Sequence, residues 1–371
     1  MRVGIVLLAV ALFGAEPANA AVLYSITDLG TLGGLESSGV DVNASGQVVG
    51  QSTLPGDENG APFLYDGTKM INLGSLGGPV SWAAGINDLG EVTGTSYTSG
   101  YGGPHAFLYN GTKIVDLGTL GGDVSEGNGI NNLGQVTGWS WTAGNNGRDP
   151  FVYDGTKMVD LAALGGNFSE GKAINDRGEV TGFSESVPGG GFLYDGTKAI
   201  ALGTLGGEMS EGNGINNLGQ VTGWSNLADG TQHAFMYDGG KMIDLGTLGG
   251  ALSQGEAINS SGQVTGSSWT GGDLTYIVPF LYSGGKMFNL NDLIDPQSVW
   301  FLEGGASIND AGQIVATGVR IAGSSPHAVL LTPLSTSAVP DSPAWITMIA
   351  GFGMIGGLAR LKPFSRASSH R

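Results

Sequence analysis

Residues 116–161 read DLGTLGGDVSEGNGINNLGQVTGWSWTAGNNGRDPFVYDGTKMVDL, and close variants of this text recur along most of the chain. The opening phrase Asp-Leu-Gly-Thr-Leu-Gly-Gly starts at Asp28, Asp116 and Asp244, with variants at Asn72, Asp160, Ala201 and Asn289. A second phrase, Ile-Asn-x-x-Gly, places its asparagine at positions 43, 87, 131, 175, 216, 259 and 309, with Val42 for Ile in the first copy. A third, Phe-x-Tyr-x-Gly, begins at Phe63, Phe107, Phe151, Phe192, Phe235 and Phe280 and decays to Val329-Leu330-Leu331. The three phrases agree on seven units of about 43 residues, a period typical of stacked or radial repeat architectures.

Each unit predicts four short strands. In the third these are 125–131, 135–140, 151–153 and 157–161, and no stretch carries a 3.6-residue apolar period long enough for a helix. The turns have a mechanism. Asn131-Asn132-Leu133-Gly134 supplies Asx capping and a glycine for positive φ, and Asp154-Gly155-Thr156-Lys157 is a hairpin signature. The chain opens on a lone fourth-type strand, residues 23–29, and its last unit stops after a third-type strand, residues 328–331. Together the two ends complete one unit. The expected fold is therefore an all-β, seven-bladed β-propeller over 21–338, closed by pairing the N-terminal strand into the last blade. A linear β-solenoid is the alternative, although it gives no reason to split a unit between the ends.

Composition limits the function classes. Glycine fills 69 of 371 positions, far above the usual level of about 7%, without the period of collagen. The chain carries 15 Lys and Arg against 32 Asp and Glu, a formal charge of −17. Without Glu16 and Asp341 the acids of 21–338 number 30, and without Arg2, Arg360, Lys362, Arg366 and Arg371 the bases number 10, so the body is more acidic still. Such a surface repels phosphate backbones, and nucleic acid is not an expected partner. The absence of cysteine removes thiol catalysis, thiolate metal sites and disulfides.

The ends carry addresses. Arg2, the apolar run 3–13 and Ala18-Asn19-Ala20 have the order of a secretory signal peptide, predicting residues 1–20 to be cleaved before Ala21. Residues 339–371 hold Pro340-Asp341-Ser342-Pro343, an apolar stretch from Trp345 to Ala359, and then Arg360 and Lys362, bases that hold that end in the cytoplasm. This tail resembles the PEP-CTERM sorting signal, with Pro340-Asp341-Ser342-Pro343 where that signal reads Pro-Glu-Pro. The resemblance implies transient anchoring in the inner membrane, processing by an exosortase, and a final place on the cell surface or in the exopolysaccharide and biofilm matrix of a Gram-negative bacterium. The repeat phrases, with His105-Ala106-Phe107, His233-Ala234-Phe235 and the decayed His327-Ala328-Val329, resemble the bacterial extracellular HAF-repeat family. That likeness implies export and a repeat scaffold and brings no defined activity.

Candidate chemistry is sparse. The three repeat histidines, His105, His233 and His327, occupy one repeat position in separate units, so they cannot pool as metal ligands, and a hydrogen-bonding role at a strand start is expected. Five residues before each repeat asparagine stand Ser38, Trp82, Glu126, Glu170, Glu211, Gln254 and Gly304, so three consecutive units present Glu126, Glu170 and Glu211 toward one side of the channel mouth. The variable segments between second and third strands carry aromatic residues among small polar ones. Of these, Trp139 and Trp224 are expected to pack between blades, while Tyr101, Trp141 and Tyr276 are candidates to stack on sugar rings. No calcium loop, nucleophile elbow or phosphate loop is present. The expectation is a non-enzymatic exported scaffold or binding module without metal or cofactor, its partner a polysaccharide or envelope glycan. The alternative is a carbohydrate-active hydrolase using the rim carboxylates.

Overall fold

The structure is a computed structural model and describes residues 23–100, 102–161, 167–271, 276–320 and 325–334. The expected signal peptide, the tail at 339–371 and Tyr101 lie outside the described residues.

The described chain is all-β, with two single turns of 3-10 helix. Five sheets have four strands each, and one has eight, in which a single parallel bridge between Gln232 and Leu252 joins two four-stranded antiparallel units. Within the third unit the order is Gly121–Ile130, Val136–Thr142, Arg148–Tyr153 and Met158–Asp160, each strand antiparallel to the next. The inner strand begins four residues earlier than the sequence suggests. Gly121, at φ +101°, pairs with Thr142 across a bulge, so the Gly-Gly pair read as a turn enters the sheet.

Local chemistry explains the repeat phrases. Asn131 is 3% exposed and holds its turn with all its polar atoms. Its Oδ1 accepts from the backbone N–H groups of Leu133 and Gln135, and its Nδ2 donates to Gln135 Oε1. The same Nδ2 donates to the backbone carbonyl of Asn175, 2.9 Å away in the next unit. This link recurs from Asn43 to Asn87, Asn87 to Asn131, Asn175 to Asn216, Asn216 to Asn259, Asn259 to Asn309, and Asn309 back to Asn43, at 2.8 to 3.2 Å. A circle of hydrogen bonds thus joins the inner strand ends.

The core lies between neighbouring units. Val136 and Phe151 are fully buried and cluster with Ala106 and Leu117 of the preceding unit. Each such phenylalanine contributes roughly 1.5–3 kcal/mol by burial. The glycine of the Val-Thr-Gly phrase is sterically required, since a Cβ on Gly138 would stand 1.8 Å from the Glu126 carbonyl oxygen. Thr137 satisfies its buried hydroxyl on the Phe151 carbonyl. In six of the inner strands the register slips at one repeat position, leaving Val40, Ala84, Asn128, Lys172, Asn213 and Glu256 opposite no partner.

The two chain ends meet as expected. The strand Tyr24–Asp28 pairs antiparallel with His327–Pro333, which continues the sheet of Trp300–Ile308 and Ile314–Arg320. A solenoid would leave these ends apart. Tyr24 fills the core of the closing unit beside Leu290, Leu302 and Leu331, and burial pushes its hydroxyl up to about 12. Asp28 joins Gly30 N–H, His327 and Arg320. Four-stranded antiparallel sheets joined into a ring through their first strands are a β-propeller.

Two outcomes test this account. Asn131→Ala should lose roughly 2–4 kcal/mol in urea unfolding, since four bonds vanish inside the ring. Asn131→Asp should be comparably unstable at pH 7, where a carboxylate faces the Asn175 carbonyl, and should recover in acid, where the protonated group can donate. At the seam, the Tyr24 hydroxyl is buried without a partner. Tyr24→Phe should therefore stabilise by about 1 kcal/mol, whereas Tyr24→Ala should lose about 3–5 kcal/mol; equal melting temperatures for the two variants would contradict the seam.

Candidate functional site

The register slip builds the site. All six slipped residues border one cavity of about 440 Å³ on the ring axis. Val40 and Ala84 make one wall small, while Asn128, Lys172, Asn213 and Glu256 make the other polar. Asn128 and Asn213 donate to the carbonyls of Gly171 and Gly255 in the following units. A narrower cavity of about 200 Å³ lies toward the asparagine circle, and Ile130, Ile174, Ile215, Ile258 and Ile308 border both.

Residues two apart on a strand share a face, so Glu126, Glu170 and Glu211 stand one step nearer the mouth than Asn128, Lys172 and Asn213. The structure brings these three expected carboxylates into one network and adds two cations. Lys172 Nζ lies 2.6 Å from Glu170 Oε1 and 3.3 Å from Glu211 Oε1. Arg148, from the third strand of the preceding unit, pairs with Glu170 through Nη2. Its guanidinium carbon sits 3.8 Å from the Phe168 ring centre and 4.3 Å from that of Trp139. Trp139 is buried and donates from Nε1 to Glu126 of its own unit.

Burial governs the electrostatics of this wall. Desolvation raises the Glu126 carboxyl above its ordinary range, and Glu170 adds to the rise against the opposing pull of Trp139 and Arg148. Burial likewise raises Glu211, opposed by Lys172, and Glu256, opposed by the Gln254 amide. For Lys172 desolvation pulls downward, but Glu170 and Glu211 outweigh it and the ammonium is held more firmly than usual. Four carboxylates thus face two cations, and the wall keeps an acidic surplus.

The expected aromatic residues are dispersed. Trp141 packs edge-on against Trp139 with ring centres 6.4 Å apart, at the edge of this network. Tyr276 stands elsewhere on the rim, 49% exposed and tilted against Phe301. Each of the three repeat histidines uses Nδ1 on the fourth-strand aspartate of its own unit, His105 on Asp116, His233 on Asp244 and His327 on Asp28, all at 2.9 Å. The corresponding pair in unit three is Asp149 with Asp160, where burial first and Asp160 second raise the Asp149 carboxyl. Among the described residues no group of three or more His, Asp or Glu side chains is placed to hold a metal ion, and no helix is long and apolar enough to cross a membrane.

Arg148, Lys172 and Glu256 were not read from the sequence. Lys172 had a signal, since it follows Glu170 by two and replaces the asparagine found at 128 and 213. Arg148 stands where other units have Pro104, Gln232 or Ile277, but its approach to Glu170 depends on the neighbouring unit.

No family model matches the chain, and no curated protein does. Solved structures give distant likenesses. The β-propeller domain of the Trilobed protease from Pyrococcus furiosus is 12% identical, with 66% of this chain and 81% of that one covered and a TM-score of 0.41. An acylaminoacyl peptidase from Pyrococcus horikoshii is 9% identical over 84% of this chain and 54% of that one, at 0.48. The six-bladed, fucose-recognising Aleuria aurantia lectin is 12% identical over 69% and 96%, at 0.34. At such scores none of these carries an argument about ligand or chemistry.

One consequence is measurable. A carboxyl whose folded value is raised weakens the fold as pH climbs through that value, because the unfolded group ionises first. Glu256→Gln should therefore raise the melting temperature at neutral pH and leave it unchanged in acid, below the ordinary carboxylate range.

Proposed function

We propose that this chain is an exported, non-enzymatic, seven-bladed propeller whose wide mouth binds a glycan of the envelope or the surrounding matrix. Seven blades follow from reading the eight-stranded sheet as two, in agreement with seven repeat units and seven asparagines. The observation that carries the binding reading is the network of Arg148, Glu170, Lys172 and Glu211 beside Trp139, Trp141 and Phe168, over a cavity large enough for a saccharide residue. Vicinal hydroxyls pair naturally with fixed carboxylate and cationic groups, and flat aromatic faces accept the C–H face of a sugar ring.

The role of Glu170 favours binding over hydrolysis. Both of its oxygens are engaged by cations, Oε2 by Arg148 and Oε1 by Lys172, which suits a fixed hydrogen-bond acceptor. Hydrolysis draws on a different observation, the raised carboxyls of Glu126 and Glu211, either of which could serve as a general acid. The export and sorting reading rests on the terminal sequences alone and includes an exosortase-type partner and a transient stay in the inner membrane.

A glycan array probed with the purified protein, followed by titration of the retained glycans, tests the binding. Arg148→Ala and Trp141→Ala should each weaken binding by roughly tenfold or more, as expected for an anchor residue of an interface, with the β-sheet circular dichroism unchanged. Tyr276→Ala measures whether the ligand extends across the rim. Absence of any retained glycan, or retention indifferent to Arg148 and Trp141, overturns the assignment; turnover of chromogenic glycosides that is lost in Glu126→Gln would replace it with the hydrolase.

A further inference from the structure

The charges of the wide mouth are one-sided. In an antiparallel four-stranded unit the turn after the first strand and the turn after the third lie on the same face, and Gln220 beside Asp238 shows these two turns in contact. That face, opposite the mouth, holds seven of the ten bases of 21–338: six lysines at one repeat position, from Lys69 to Lys286, and Arg177. The mouth side keeps the other three, and each already holds a carboxylate. Arg148 pairs with Glu170, Lys172 with Glu170 and Glu211, and Arg320 with Asp28.

Three carboxylates around the channel have no cationic partner among the described residues. Glu126 accepts from the Trp139 indole, Glu256 from the Gln254 amide, and Asp41 from the Ser307 hydroxyl and the backbone N–H groups of Val42 and Ile86. All of these donors are neutral, so none cancels a charge. Glu256 and Asp41 border the cavity of about 440 Å³ directly. Lys172 borders it too, but Lys172 and Arg148 together only balance Glu170 and Glu211. Burial raises the carboxyls of Glu126, Glu256 and Asp41, as expected for negative charge held without enough compensation. At the rim Glu36, Asp123, Glu208 and Glu303 add charge of the same sign.

We propose that the saccharide taken at this mouth carries a free primary amine, whose ammonium enters the cavity toward Glu256 and Asp41. An ammonium brings a positive charge and three N–H donors, and Glu256 Oε2 has no donor among the described residues. N-acetylation would remove that charge, and a uronic acid or a sulfate ester would meet charge of its own sign. A metal ion does not fit, since no three acids among the described residues converge to hold one. The inference rests on the glycan reading of the mouth and narrows it to amino sugars.

Calorimetric titration of the purified protein with a β-1,4-linked glucosamine tetramer, its N-acetylated form and a galacturonate tetramer tests this. The glucosamine tetramer should bind roughly tenfold or more tightly than the N-acetylated one, and galacturonate should not bind. Glu256→Gln should weaken the glucosamine tetramer by roughly tenfold. Glu91→Gln makes the same charge change on the opposite face, at a position where five other units carry Gln, and should leave binding unchanged. Equal weakening by the two variants would mark adhesion of a polycation to an acidic surface and overturns the proposal. N-acetylated or uronate forms bound as well or better, or a glycan array that retains only glycans without free amines, overturns it and leaves the glycan reading in place. No retention of any glycan removes both.

Discussion

A circle of side-chain amides sets the geometry on which everything else depends. Each repeat asparagine closes its own turn with Oδ1 and reaches the next unit with Nδ2, so the bond that shapes a unit also fixes the angle to its neighbour. An isolated unit would bury too little apolar surface and leave its first strand uncovered. The circle makes the units mutually dependent, and the Val and Phe clusters between them fill the wedge that it defines. Because the last link runs from Asn309 to Asn43, closure is specified twice, once at the axis and once at the outer seam through Tyr24–Asp28.

Repetition and chemistry are divided between different residues. The asparagine recurs in all seven units, and the Val-Thr-Gly phrase and the phenylalanine in most of them, because each has a steric or hydrogen-bonding duty there. The slipped inner-strand position has no such duty, since it faces the axis without a strand partner, and it is free to be Val, Ala, Asn, Lys or Glu. Lys172 and Glu256 are departures of this kind, and Arg148 is another on the third strand. The cations and the four glutamates of the wall therefore belong to units three to six, while the opposite side is lined by Val40 and Ala84 and by Asp41, which accepts from the Ser307 hydroxyl. The channel is asymmetric although the scaffold around it is not.

This division explains what the sequence disclosed. Turn chemistry is local, so Asn131-x-x-Gly134 and Asp154-Gly155 identify their hairpins without knowledge of the rest. The missing strand at each end makes the seam legible, and the common position of His105, His233 and His327 places each beside the fourth-strand aspartate of its own unit. Glu126, Glu170 and Glu211 stood out because the repeat marks their position. What pairs with them did not, because Arg148 and Glu170 come from different units and meet only once the ring sets the angle between sheets. The inner strand's early start was hidden for another reason: Gly121-Gly122 has turn composition, and only the bulge that absorbs Gly121's positive φ lets the pair lie in a sheet.

The outer seam has a consequence in time. The strand Tyr24–Asp28 is made first and its partner His327–Pro333 last, so about 300 residues separate them. At a synthesis rate of roughly 5–20 residues per second the first strand waits on the order of 15–60 s for its mate. During that interval a strand edge is open to any neighbouring chain, the ordinary route to domain exchange and aggregation. The short length of this strand, and the charge of Asp28 at its end, limit that hazard. Ring closure therefore waits for the last of the described strands, and it takes place next to the segment through which the chain leaves the ring.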